Sequence, residues 1–126
     1  MGTTGRVLLG VLAGAVLWAV LWVGGTGAAR AALPELLDPA QPLDHVGALL
    51  GFLAYSVVLS VAAGYAAATV AAASAMRAVW ILAFVQLAIG IAVEVSYWEL
   101  MPVWYHLVFL ALLVPATVYG GRLKAA

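Results

Sequence analysis

Apolar residues in this chain come in long runs with polar residues collected between them, not in the alternation of a half-buried strand. The runs begin near Val7, Val46, Ala78 and Val103. About 20 helical residues span the roughly 30 Å of bilayer hydrocarbon, and runs of this length predict transmembrane helices. The pattern therefore predicts an all-α polytopic membrane protein, a single domain over 1–126 with four transmembrane helices in an up-down-up-down bundle. The predicted helices are about 7–24, 46–73, 78–98 and 102–121, with a loop at 28–44. Gly24, Gly25, Thr26 and Gly27 are read as the end of the first helix. Pro34, Pro39 and Pro42 break the loop, with one short turn at Pro34–Leu37, and Asp44 stands where a cap for the second helix belongs. A turn at Ser74–Arg77 separates helices two and three. Pro102 suits the first position of the fourth helix, and Pro115 is expected to kink it and free the Ala111 carbonyl.

Composition removes the soluble alternative: 67% of the 126 residues are hydrophobic and only 8% charged, with a mean hydropathy of +1.17. A water-soluble domain carries about half apolar and a quarter charged residues. The few charges are sorted. Arg6, Arg77, Arg122 and Lys124 flank one set of helix ends, whereas Glu35, Asp38, Asp44 and Glu99 lie in the alternate connections. Basic residues are retained on the cytoplasmic side, so the sorting predicts both termini in the cytoplasm and an external 28–44 loop, with Arg30 the exception. Trp80 at one end of the third run, and Tyr97 and Trp98 at the other, fit interfacial belts. The first run has a positive start and a small-x-small pattern at Ala29–Ala31, as a secretory signal has. It is longer than a signal core and carries Trp18 and Trp22 near its far end, and it is read as a retained spanning helix.

The net charge of zero and the absence of Cys narrow the chemistry further. No basic patch exists to hold nucleic acid, and disulfides, thiolate metal sites and Cys nucleophiles are excluded. Asp44, His45, Glu94, Glu99 and His106 gather toward the external side, but no HxxxH, HxxE or ExxH spacing organises them as metal ligands. No hydrolase or phosphate-binding motif is present. No catalytic residue, metal ligand or cofactor is therefore assigned.

Small residues mark expected helix contacts: Gly10 with Gly14, Gly47 with Gly51, and the ladder Ser56, Ser60, Gly64, Ala68. Such small-xxx-small spacings let backbones approach closely in lipid, here within one chain or, as the alternative, between copies. On the third helix Gln86, Gly90, Glu94 and Tyr97 share one sector, as His106, Leu110, Leu113 and Thr117 do on the fourth. Glu94 is the one acidic residue inside an apolar run, where an unpaired charge is costly. In a hairpin turning near Leu100, Glu94 and His106 each lie six residues from the centre and so at matched depth. They are predicted to pair, with Tyr97 or Tyr105 as a third member and Gln86, Asp44 and His45 as supporting residues. The pair either braces the hairpin or, with water present, exchanges a proton.

The stretch Tyr97-Trp98-Glu99-Leu100-Met101-Pro102-Val103-Trp104-Tyr105-His106-Leu107-Val108-Phe109-Leu110, with Leu113-Val114-Pro115 and Gly121-Arg122-Leu123, resembles the C-terminal hairpin of small uncharacterised four-helix membrane proteins of bacteria. The resemblance covers residues 97–123 and implies the topology and, as the expected location, a bacterial cytoplasmic (inner) membrane. That group has no assigned reaction or ligand, and no functional residue is carried across. Gly24–Arg30 resembles the Gly-rich, Arg-ended segment of small dimeric fluoride channels, but the Asn-x-x-Gly-Ser and Phe-rich elements of that family are missing here, and the family is rejected. The expected function is that of a non-enzymatic accessory or assembly component. Its partners would be the lipid bilayer and a homo-oligomer or larger membrane complex. The alternative is an oligomeric transporter or channel for a proton, cation or small solute that uses Glu94 and His106. An enzyme or metal site at the external face comes third.

Overall fold

A computed structural model describes residues 2–38 and 41–125, and Pro39 lies outside the described residues. Among the described residues the fold is entirely helical: α1 (Thr3–Ala32), α2 (Val46–Ala71), a 3-10 turn (Ala72–Ser74), α3 (Ala75–Ser96), a second 3-10 turn (Trp98–Leu100) and α4 (Val103–Ala125). Three helical stretches are long and apolar enough to cross a membrane: Thr3–Ala32, Val46–Ser96 and Val103–Ala125. The sequence pattern predicted four. The count differs because only the 3-10 turn separates α2 from α3, and by length and composition the two form one 51-residue stretch.

The largest departure from expectation is α1. The cluster Gly24–Gly27 does not end it; the helix continues to Ala32, so that the connection to α2 is shorter than 28–44. In hydrocarbon an interrupted helix would leave backbone groups without partners, which favours continuing it. Local contacts explain the glycines. The Thr26 hydroxyl donates to the Trp22 carbonyl at 2.7 Å. Tyr55 on α2 lies so close to Gly25 that a Cβ there would overlap its ring, and its hydroxyl donates to the Leu21 carbonyl at 2.5 Å. Gly25 is thus a docking notch for a tyrosine.

The other boundaries move less. His45, not Asp44, caps α2: its Nδ1 accepts the Ala48 N–H at 3.0 Å. The expected turn at Ser74–Arg77 falls earlier, and its first residue, Ala72, adopts φ 54 and ψ −109. That conformation normally belongs to glycine. Trp98 leaves α3 for the second turn, and Pro115 sits inside α4 without interrupting it.

The helices meet through small residues at one end. Gly10 of α1 faces Ala67, Ala71 and Ala78, so α1 touches α2 and α3 on either side of their connection, and Gly14 one turn on faces Ala63, Ala67 and Leu82. The numbering therefore falls along α2 as it rises along α3, which makes the two antiparallel neighbours. Between α2 and α4 the approach is closer still. A Cβ on Gly64 would overlap the Thr117 carbonyl, and one on Gly120 the Val61 carbonyl. Gly120 and Gly121 did not stand out in the sequence because they follow the last periodic positions of α4. Gly47 and Gly51 correct the expectation in the opposite direction: both are exposed, Gly51 has no neighbour within 4 Å and Gly47 only the His45 ring. They lie on a face of α2 that no other helix covers.

One apolar core runs through the fold, from Ala75 and Val79 past Leu82, Leu59 and Trp18 to Tyr105 and Leu43. Large apolar side chains also cover the outside of the helices, including Leu8, Leu12, Val16 and Val20 of α1 and Phe84, Ile89 and Ile91 of α3. Apolar surface on both sides of a helix is what a bilayer environment requires.

The charges separate along the molecule. At one end Arg6 donates to the Val70 carbonyl at 3.3 Å, and Arg77 and Lys124 line one shallow depression. At the other end Asp38, Glu94 and Arg30 line a common cavity. The molecule thus has a basic end and an acidic end.

Candidate functional site

The antiparallel α3–α4 hairpin sets three facing levels. Glu94 contacts His106, Gly90 lies against Leu110 and Leu113, and Thr117 donates its hydroxyl to Gln86 Oε1 at 2.5 Å. The two polar stripes read from the sequence thus face each other, and Gly90 provides the space that lets the helices approach between two polar contacts.

His106 and Glu94 join through Nδ1 and Oε2, and both residues are buried, at 0% and 4% exposure. The other ring nitrogen, Nε2, donates to the Trp98 carbonyl at 3.0 Å. A carbonyl only accepts, so Nε2 carries a hydrogen. One further proton therefore lies between Nδ1 and Oε2: either imidazolium donates to carboxylate, or the carboxylic acid donates to neutral imidazole. Either way the pair has no net charge, which keeps the cost of burying it low.

Trp98 closes the unit a second way. Its ring stacks on His106 with centroids 4.5 Å apart and planes 11° from parallel, and Tyr105 meets the His106 ring edge-on at 6.0 Å. Tyr105 is thus adjacent to the pair, whereas Tyr97 is joined to it through backbone alone, its N–H donating to the Glu94 carbonyl at 3.2 Å. Trp98 was read only as an interfacial aromatic. Its role depends on the backbone carbonyl turning inward at the 3-10 turn, and side-chain identities do not reveal that. Asp44 and His45 are exposed. Among the described residues no three His, Cys, Asp or Glu side chains lie together as a metal site would require.

Beside the pair lies a cavity of about 390 Å³. Its apolar wall includes Trp22, Phe52 and Leu43, and its polar lining includes Thr26, Arg30, Asp38, Glu94 and Tyr105. Aromatic contacts build the floor. Trp22 stacks on Tyr55 with centroids 6.0 Å apart and tilts against Phe109 at 5.6 Å, while Phe109 stacks on Tyr105. The rim is held by backbone: the Leu43 N–H donates to the Leu100 carbonyl at 2.6 Å, joining the 33–45 connection to the α3–α4 turn.

Farther toward the basic end is a second polar level. Trp18 Nε1, Ser60 Oγ and Gln86 Nε2 are buried without a partner among the described residues. Trp18 and Gln86 each lie one turn beyond the Gly14–Leu82 contact, and Ser60 one turn back along α2 from Ala63 and Gly64. Donors left unpaired in a core are costly, and internal water is the usual remedy.

Fold and site together define an all-helical membrane protein with a neutral His–carboxylate pair buried beside an aromatic-lined cavity. The chain matches no protein-family model, and no curated protein or solved structure is significantly similar to it.

Proposed function

We propose that this chain is a small integral protein of a bacterial cytoplasmic membrane, crossing it four times with both termini inside, and that it serves as a non-enzymatic accessory or assembly component. The carrying observation is the distribution of polar groups. Glu94, His106, Gln86 and Thr117 are spent on contacts inside the fold, while the outward faces of the helices are apolar. Such a molecule interacts sideways, through lipid-facing surfaces and the exposed Gly47–Gly51 strip, where a second helix can approach closely.

Four crossings are supported by length and by the bend. A straight 51-residue helix would be about 76 Å long at 1.5 Å per residue, over twice the hydrocarbon thickness. Ala72 reverses the chain at its middle. The placement of termini rests on the sorted basic residues.

Because the chain contains no Cys, single Cys residues report sidedness without background. Gln41→Cys and Glu99→Cys should react with an impermeant reagent from the same side and Ser74→Cys from the opposite side. Reaction of positions 41 and 99 from opposite sides would mean that Val46–Ser96 crosses once. For the function, protein released from its own membrane in mild detergent should travel in an assembly containing other chains.

One observation favours a second reading: Glu94 lines the cavity as well as pairing with His106, which gives a shared proton access to one face. A homo-oligomer that dissipates a pH gradient in liposomes, and loses this activity in Glu94→Gln, would replace the accessory role with proton or cation transport.

A further inference from the structure

Arg30 breaks the charge sorting: it is the one basic residue at the acidic end, on the flank where the other four do not occur. Arg30 lines the cavity, and no hydrogen bond or ion pair joins its side chain to another described residue. Five donors in a planar fork, with no acceptor among the described residues, beside an apolar chamber suit an anion with two oxygens. The chamber itself is about 390 Å³, within the range of about 300 to 1,000 Å³ typical of small-molecule sites.

A second, deeper donor faces the same space. Tyr105 is 1% exposed and lines the cavity, yet its hydroxyl bonds to no described residue. The contact between Trp22 and Phe109 fixes the register of α1 against α4. One turn outward are Thr26 and Tyr105, and Arg30 lies a further turn toward the mouth. The order from mouth to floor is therefore cation, hydroxyls, aromatic rings. Glu94 does not oppose an anion on this wall, because its pairing with His106 is neutral in both proton arrangements described above.

We propose that this cavity binds a small amphipathic anion, a carboxylate or phosphate on an apolar chain. The anionic group lies on Arg30 at the mouth, and the chain runs inward past Tyr105 to the rings of Trp22 and Phe52. The proposal goes beyond the accessory role and does not depend on which end faces the cytoplasm. Asp38 is the rim carboxylate and limits affinity by repulsion.

The probe is a bromine-substituted dodecanoate titrated into the purified protein in detergent and followed by tryptophan fluorescence, since bromine quenches an indole it touches. Wild type should show saturable quenching that Trp22→Phe largely removes. Arg30→Gln should weaken binding at least tenfold, Asp38→Asn should strengthen it, and Arg77→Gln, at the opposite end, should leave it unchanged. The matching bromododecanol, with the same chain and no charge, should not saturate. Equal quenching by acid and alcohol, or by wild type and a folded Arg30→Gln, overturns the proposal, as does quenching that never saturates. Mass spectrometry of lipid retained from the native membrane separates the two sources of such an anion. An anionic lipid kept by wild type and lost in Arg30→Gln identifies a membrane lipid as occupant, and saturable dodecanoate binding without retained lipid identifies a free acid.

Discussion

At the basic end the helices meet backbone to backbone, and at the acidic end side chains hold them apart. Gly10, Gly14, Gly64, Gly120 and Gly121 leave no room for a methyl group between neighbouring helices, whereas Trp22, Phe52, Tyr105 and the Glu94–His106 pair frame an open chamber. The same four helices make both regions, so the difference lies in side-chain volume along each helix. Small residues draw the axes together in one half, and the larger residues of the other half convert that taper into a cavity. Close backbone packing and chemistry are thereby given to opposite ends.

The strongest way to break this division is to unpair the acidic end. His106→Ala leaves Glu94 buried without its partner and should cost about 3–5 kcal/mol. Replacing both, Glu94→Met with His106→Leu, should cost much less than the two single changes added together, as read by thermal unfolding in detergent through a double-mutant cycle. Additive losses would show that the two residues act independently.

A smaller effect is expected at the basic end. Gly64→Leu drives a side chain into the Thr117 carbonyl and should destabilise by about 1–3 kcal/mol, while Gly51→Leu, thirteen residues earlier on the same helix and facing open space, should stay within about 0.5 kcal/mol. Equal losses at the two sites would mean that glycine is needed in α2 for its backbone and not for the crossing. If Gly51→Leu instead disperses an assembly while leaving the fold intact, the strip it occupies is an intermolecular contact.

The smallest effect concerns the connection at the basic end. Ala72 holds φ 54 in a region where a side chain costs on the order of 1 kcal/mol. Ala72→Gly should therefore raise stability by up to about that amount, although glycine inside a helix normally lowers it. A loss of stability would place the strain elsewhere.

Much of the hairpin was legible in the sequence because depth in an antiparallel pair follows from counting outward from the turn. Positions 94 and 106, and the stripes that contain them, needed no further information. Gly24–Gly27 was misread for a definable reason: glycine clusters end helices where water can take over the backbone hydrogen bonds, and a bilayer removes that option. The tyrosine that Gly25 accommodates is thirty residues away. Gly47 and Gly51 had the same spacing as Gly10 and Gly14, and spacing does not say whether a face is covered. The cavity drew on residues from all four helices and the 33–45 connection, so only the assembled fold reveals it. Arg30 was visible as an exception to the charge pattern, but its place beside the chamber appears only in the assembled fold.

The bond from the Leu43 amide to the Leu100 carbonyl joins the two connections at the acidic end without using a side chain. It ties the segment before α2 to the turn after α3 beside the chamber that Leu43 and Leu100 both line, as a drawstring gathers the mouth of a bag. Side chains along that mouth can vary without untying it, so residues that select a ligand can drift while the frame persists. Proline at position 43 is the exception, because it removes the one N–H on which the knot depends.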